Sequence, residues 1–345
     1  MNKAGVRVRL AIDAMSGDRG PGVAAAAALR ALRAYPGLEL VLVGDEAALS
    51  GALHQADDRQ AERLRVHHTS QVVTMDEPVR QALRSKRDSS MRVAIDLVKS
   101  GEVAACVSAG NTGALMATAR YVLKGLEGVD RPAICTAVPT RQGRTYMLDL
   151  GANADCTAGH LVQFAAMGAA LAAAVGGVSS PSIGLLNIGS EQIKGSERVK
   201  KAARVLEASR LNYVGYVEGH DIGSGRVDVV VTDGFTGNVA LKTMEGTARL
   251  IATILREEFT RNLVTRAEGL IAWPTLQRVH RRLDPQRYNG ASFLGLRGIV
   301  VKSHGSADEV GFATAIRAAM IEVEQAVPER INCLLAEALS GGLAA

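Results

Sequence analysis

Nine short apolar runs constrain this chain more than any other feature: Val6–Asp13, Leu38–Asp45, Ala104–Gly110, Ile134–Pro139, Thr145–Gly151, Ser182–Gly189, Tyr213–Gly219, Val227–Gly234 and Gly298–Gly305. They are almost continuously aliphatic and β-branched, where a strand with one wet face would alternate, and helical spacing fills most of the intervals between them. Strands buried on both faces and separated by helices predict an α/β, doubly wound, mostly parallel sheet. With 47% hydrophobic residues, the 345-residue chain can bury a large core, and it is expected to form one domain over 1–345. No uninterrupted apolar run approaches the ~20 residues of a membrane span. The richest stretch, Phe164–Val178, reads as a buried helix.

The runs share a second property. Polar residues and glycines collect at their carboxyl ends: Asp13, Gly44 with Asp45, Ser108–Gly113, Asp149–Asn153, Asn187–Ser190, Asp233–Asn238 and Ser303–Asp308. In open parallel sheets, loops and helix N-termini converge on that edge, so the ligand site is expected there.

One segment breaks the rhythm. From Thr243 to Pro285 there is no strand signal, while Met244, Ala248, Ile251, Leu255 and Phe259 form one helical stripe and Leu276, Val279 and Leu283 a second. The expectation is a projecting helical hairpin over 243–285, joined by a linker at Leu263–Pro274 that carries Leu270, Ile271 and the sole tryptophan, Trp273. Phe259, Leu263, Leu270, Ile271 and Trp273 suit packing against a second copy of the chain, or contact with a membrane interface.

The N-terminus lacks a secretory pattern, since Asp13 interrupts the apolar run and no cleavage signature follows, which points to the cytoplasm. Cys106, Cys135, Cys156 and Cys333 have no paired spacing and are expected as reduced core thiols, with no metal site. His54, His67, His68 and His160 are expected to be structural. The net charge of +5 favours acidic partners but lacks the aromatic interleaving of a nucleic-acid surface.

The dinucleotide fingerprint, the P-loop, H-E-x-x-H, the EF-hand loop and G-x-S-x-G are all absent. What remains are Gly-framed turns from strand into helix. In SAGNTGALMA, Ser108 ends a strand, Gly110 and Gly113 are expected to supply positive φ and close approach of an anion, and Asn111 and Thr112 add donors at a helix start. DGFTGNVALK repeats the logic with Asp233, Gly234, Thr236, Gly237 and Asn238, and Lys242 lies one turn beyond Asn238. His304 in SHGSAD and Lys194 in NIGSEQIKGSE complete the candidates. Asp13 is either an acceptor at the site or a cap of the following helix.

Taken in order, AIDAMSGDRGP, DEPVRQALRSKRDSSM, VSAGNTGALMA, LDLGANADC, LLNIGSEQIKGSE, VDVVVTDGFTGNVALKTMEG and YNGASFLGLRGIVVKSHGSAD resemble the bacterial PlsX family of phosphate acyltransferases, from Ala11 to Asp308. The variation at Ser16, Arg19 and Gly20, and at Ser190, Gln192 and Ile193, departs from the family's usual pattern. The resemblance implies a Rossmann-like α/β/α fold akin to isopropylmalate dehydrogenase and phosphotransacetylase, and transfer of a fatty acyl group from acyl carrier protein to inorganic phosphate. It also implies a homodimer without metal or organic cofactor, peripheral association with an anionic membrane surface, and supply of acyl phosphate to a membrane glycerol-3-phosphate acyltransferase. A non-catalytic scaffold binding acyl carrier protein and membrane, and a β-decarboxylating dehydrogenase-like enzyme, are the alternatives.

The absence of a serine or cysteine triad agrees with that chemistry. Phosphate loses its second proton near neutrality, and a thiol with a pKa of roughly 8.5 leaves readily as thiolate. The enzyme then has to place the nucleophile and stabilise an oxyanion. Asn111, Lys194, Lys242 and His304 are the expected catalytic groups; Asp13, Ser108, Gly110, Thr112, Gly113, Asp233, Gly234, Thr236, Gly237 and Asn238 are the expected substrate contacts.

Overall fold

The computed structural model describes residues 7–141 and 143–340. Val6, placed above at the start of the first strand, lies outside them, as do the two ends of the expected 1–345 domain. The strands are β1 (Val8–Asp13), β2 (Leu38–Gly44), β3 (Leu64–His68), β4 (Ala105–Ser108), β5 (Ala133–Thr140), β6 (Gly143–Leu148), β7 (Ile183–Leu186), β8 (Tyr213–Val217), β9 (Val229–Val231), β10 (Ala291–Leu294) and β11 (Ile299–Lys302). The helices are α1 (Pro21–Ala34), α2 (Glu46–Gln55), α3 (Asp58–Ala61), α4 (Val79–Ser85), α5 (Ser90–Ser100), α6 (Thr112–Leu123), α7 (Ala158–Gly176), α8 (Glu197–Glu207), α9 (Gly234–Thr260), α10 (Leu263–Leu283), α11 (Glu309–Glu324) and α12 (Val327–Ser340).

The eleven strands form one mixed sheet in the order β3-β2-β1-β4-β11-β10-β5-β6-β9-β7-β8. β3, β2, β1, β4 and β11 run one way, and β6, β9, β7 and β8 run the other. The reversal is made by antiparallel pairings of β11 with β10, β10 with β5 and β5 with β6. Two strands escaped the sequence reading. β3 (LRVHH) is a mostly exposed edge strand, and β10 is only four residues long.

Helices cover both faces, as the continuous apolar strands require. On the back face, α1 and α11 pack under the first half and α7 and α12 under the second. On the front face, α5, α6 and α9 pack over Ala11, Cys106, Met147, Val230 and Val300. α7 is long and apolar enough to cross a membrane, but 83% of its apolar window is buried inside the protein. Of the four cysteines, three are buried; Cys333 on α12 is exposed and is not a core thiol.

α9 and α10 form the hairpin, with two corrections. The first helix begins at Gly234, nine residues before the expected hairpin start at Thr243, because Asp233 caps it by accepting from the Thr236 N–H. Leu263–Pro274 is not a linker but part of α10. Asn262 accepts from the N–H groups of Val264 and Thr265, and Thr265 Oγ1 accepts from the Asn262 N–H, so the turn shrinks to Arg261 and Asn262. Gly269 lets α10 close onto Phe259, whose ring stands 3.2 Å from where a Cβ would be. Phe259 is therefore partly covered, while Leu263, Leu270, Ile271 and Trp273 are 82%, 77%, 83% and 57% exposed.

Candidate active site

The two halves of the sheet run in opposite directions, so their carboxyl ends do not share the single edge expected from sequence. Register brings them together by another route. One row of paired residues crosses the sheet through Ile12, Val107, Val301, Ser292, Cys135, Leu148, Val231 and Leu185. In β1, β4, β11, β6, β9 and β7 this row meets the last or next-to-last residue of the strand. The halves are thus staggered, and the strand-end loops of both leave from one central band, in opposite senses. α9 starts on the second half's side and carries Lys242 back to the first.

One residue along, the next row holds Asp13, Ser108 and Lys302 side by side. Each lies two residues beyond Ala11, Cys106 or Val300 and therefore shares the front face. All three are buried. Ser108 Oγ donates to Asp13 Oδ2 at 2.6 Å, while Ser16 Oγ donates to the Asp13 carbonyl and accepts from the Ala109 N–H. Asp13 Oδ1 is buried with no hydrogen-bond partner, and burial raises the Asp13 carboxyl above the ordinary range.

Lys302 is the residue that sequence reasoning missed. Its Nζ donates to the Ala109 carbonyl at 3.2 Å and to the Ser303 carbonyl. Among the described residues no carboxylate comes within ion-pairing distance of it; burial pulls its ammonium down to about 8, against the opposing influence of Asp18 and Asp13 and with help from Lys242. An ammonium has three donors, and two here meet carbonyls, so the third is available to a ligand. A buried cation beside the first turn of α6, whose Thr112 and Gly113 N–H groups lack intrahelical acceptors, suits an anion. The only hint in sequence was a lysine closing the apolar run GIVVK.

The predicted catalytic residues divide. Lys242 and His304 lie near Lys302, since each perturbs the titration of another member of the group. Lys242 Nζ donates to Glu245 at 2.9 Å. Burial and the Lys242 charge hold His304 below its ordinary value, so it is neutral at pH 7. Its Nδ1 accepts from the Ser306 N–H, which assigns the ring proton to Nε2 as a donor. Asn111 caps α6 by accepting from the Ala114 N–H and donates to the Met75 carbonyl, so it braces the loop. Lys194 is not brought to this group. It pairs with Glu191 at 2.8 Å in the loop after β7, which sits two strands beyond β6 in the sheet.

The second half contributes a braced loop. Asp149 accepts from the N–H groups of Ile134, Ala152 and Asn153 and from Asn153 Nδ2, and burial nonetheless raises its carboxyl. α9 starts hard against this loop: a Cβ at Gly234 would stand 2.6 Å from the Asn153 carbonyl oxygen, and one at Gly237 would overlap that of Asp149. Asp233 is occupied by the Thr236 N–H and hydroxyl and by Arg198. Asn238 is exposed and faces Gly151. None of Gly110, Gly113, Gly234 and Gly237 has positive φ, contrary to expectation for the first two. Their value is the absence of a side chain where Met91, Val79 and the 149–153 backbone press close.

A family model described as fatty acid synthesis protein matches residues 8–330. The chain is 59% identical over 325 residues to a phosphate acyltransferase of Alkalilimnicola ehrlichii, covering 94% of this chain and 95% of that one. It is also 59% identical over 323 residues to that of Methylococcus capsulatus, with coverage of 94% and 95%. Among solved structures, a phosphotransacetylase from Streptococcus pyogenes shares the fold with a TM-score of 0.59 at 17% identity, over 91% of this chain and 94% of that one.

Proposed function

The chain belongs to the fatty acid synthesis protein family and is a phosphate acyltransferase; on that premise we propose that it moves a fatty acyl group from acyl carrier protein to inorganic phosphate, for use in phospholipid synthesis. The observation that carries the reading is the buried Lys302 ammonium, held by backbone carbonyls in one row with Asp13 and Ser108 beside the start of α6.

In this reading Lys302 and the first amides of α6 hold the phosphate dianion. Its oxygen attacks the thioester carbonyl; a C–O bond forms, the C–S bond breaks, and the electron pair leaves on sulfur as a thiolate that takes its proton from solvent. The His304 Nε2–H and Asn238 offer donors to the developing oxyanion, and Lys242 adds positive potential. The exposed apolar residues of α9 and α10 support a homodimer along the hairpin, and those of α10, Trp273 included, support contact with an anionic membrane. The test is incubation with long-chain acyl carrier protein and phosphate, trapping acyl phosphate with hydroxylamine. Phosphate-dependent acyl hydroxamate is expected; none above the uncatalysed rate would overturn the reading.

A further inference from the structure

A groove of ≈ 670 Å³ runs along α6 away from Lys302. Thr112 and Gly113 line one end, Met116 and Ala117 continue one wall, Ile134, Gly151 and Ala152 form the other, and Arg120, Tyr121 and Lys124 line the far end. The near end belongs to the α6 start just described, and Gly151 faces Asn238 there. The groove therefore opens into the site.

Its far end is basic and fixed in place. Lys124 Nζ lies 5.0 Å from the centroid of the Tyr121 ring, and the Arg92 guanidinium lies 5.5 Å from it. Arg92 is paired with Asp96, whereas among the described residues no ion pair engages Arg120 or Lys124. Lys124 adopts a φ of 66°, a region disfavoured for a side-chain-bearing residue. That conformation is held from outside the helix: the Arg297 N–H donates to the Lys124 carbonyl and Arg297 Nε to that of Gly125, which also bridges Leu296.

Length and lining together select an occupant. Eleven helical steps from Thr112 to Leu123 rise ~16 Å at 1.5 Å per residue, and Lys124 follows beyond them. A phosphopantetheine arm has as many chain atoms from its ester oxygen to its sulfur as about four residues, or ~15 Å extended, and the phosphate adds the remainder. Its two amides and geminal methyl groups suit walls that mix Thr112, Arg120 and backbone with Met116, Ala117 and Ile134. A fatty acyl chain would gain nothing from two cations at its end.

We propose that this groove seats the phosphopantetheine arm of acyl carrier protein, with its phosphodiester between Arg120 and Lys124 and its thioester at Thr112 and Gly113. The inference rests on the reading of acyl carrier protein as donor. The test compares acyl-phosphopantetheine with acyl-pantetheine, which differ only in the phosphate, and both with acyl carrier protein, in the native chain and in the Arg120→Gln/Lys124→Gln variant. The native enzyme is expected to favour the phosphorylated thioester at least ten-fold in kcat/KM, through KM, and the variant to lose that preference while retaining its rate on acyl-pantetheine. A variant with an unchanged preference would overturn the inference. So would equal losses on all three donors, or a loss confined to acyl carrier protein, which would set the two cations against the carrier's acidic surface. A native enzyme that uses the free thioesters but not the carrier would instead overturn the donor reading.

Discussion

Raising the pH from 7 to 9.5 should make the protein more stable and less active at once, through a single proton on Lys302. Burial lowers this ammonium from 10.5 to about 8. Between those values the unfolded chain holds the proton and the folded chain does not, so stability rises with pH. Integrated from pH 7 to 9.5, the gain is ~2 kcal/mol, since each unit of difference between the two states amounts to about 1.4 kcal/mol. Activity moves the other way if the ammonium holds phosphate. The charged share falls from ~90% at pH 7 to ~10% at pH 9, so kcat/KM for the phosphate dianion should drop about ten-fold and continue down by ten-fold per unit. Phosphate completes its second deprotonation in the lower part of this range, so kcat/KM is referred to the dianion. The assays are hydroxylamine-trapped acyl phosphate at subsaturating phosphate, and urea unfolding, each on the native chain and on Lys302→Arg. The arginine stays charged, so its alkaline limb should flatten and its stability should lack the native rise. Native activity flat to pH 9.5, or parallel stability curves for the two proteins, would refute the assignment.

Further outcomes follow from neighbouring features. Lys242→Ala should lower kcat/KM for phosphate at least ten-fold, and Lys194→Ala less than two-fold, in the same assay; equal effects would mean that the loop after β7 reaches the site. Glu322 is fully buried with Ser292 as its partner, and burial raises its carboxyl to about 8. The folded chain keeps a proton that the unfolded chain releases above 4.5, so this group's contribution falls between pH 4.5 and 8. Glu322→Gln should therefore be close to native at pH 5 and more stable by on the order of 3 kcal/mol at pH 8.5, read by urea unfolding. Gly237→Ala should destabilise by roughly 3 kcal/mol or more, seen as a lower Tm, because its methyl has no room beside the Asp149 carbonyl. Trp273→Ser should weaken sedimentation with anionic liposomes while leaving turnover on soluble donors intact.

The local grammar of the chain was legible because it is written in short-range chemistry. The aliphatic runs predicted strands buried on both faces, and SAGNTG predicted a turn from strand into helix, whose first residue the structure places at Thr112. The reversal of the sheet was not legible, since it depends on β10, four residues that pair with segments far away in sequence. The 149–153 loop was seen as polar and glycine-rich, but its part in positioning α9 rests on backbone contacts that leave no residue pattern. Lys302 was not legible as a site residue because a lysine closing an apolar strand more often extends into solvent. Here Ala109 and Ser303 enclose it. Lys194 is the opposite case, a lysine in a suitable loop whose strand, β7, stands five places along the sheet from that of Lys302.

The row from Ile12 to Leu185 makes this site a matter of parity. Side chains alternate across the sheet with a period of two, so one residue added or lost inside β5 or β10 would turn one half over relative to the other. Met147 and Val230 would then leave the face shared by Lys302, and α9 would lose its seat. Changes of length are therefore compatible with this enzyme at the β5–β6 turn, or within the central ribbon only in even numbers. Two halves of such a molecule can drift far apart in sequence while remaining locked in count.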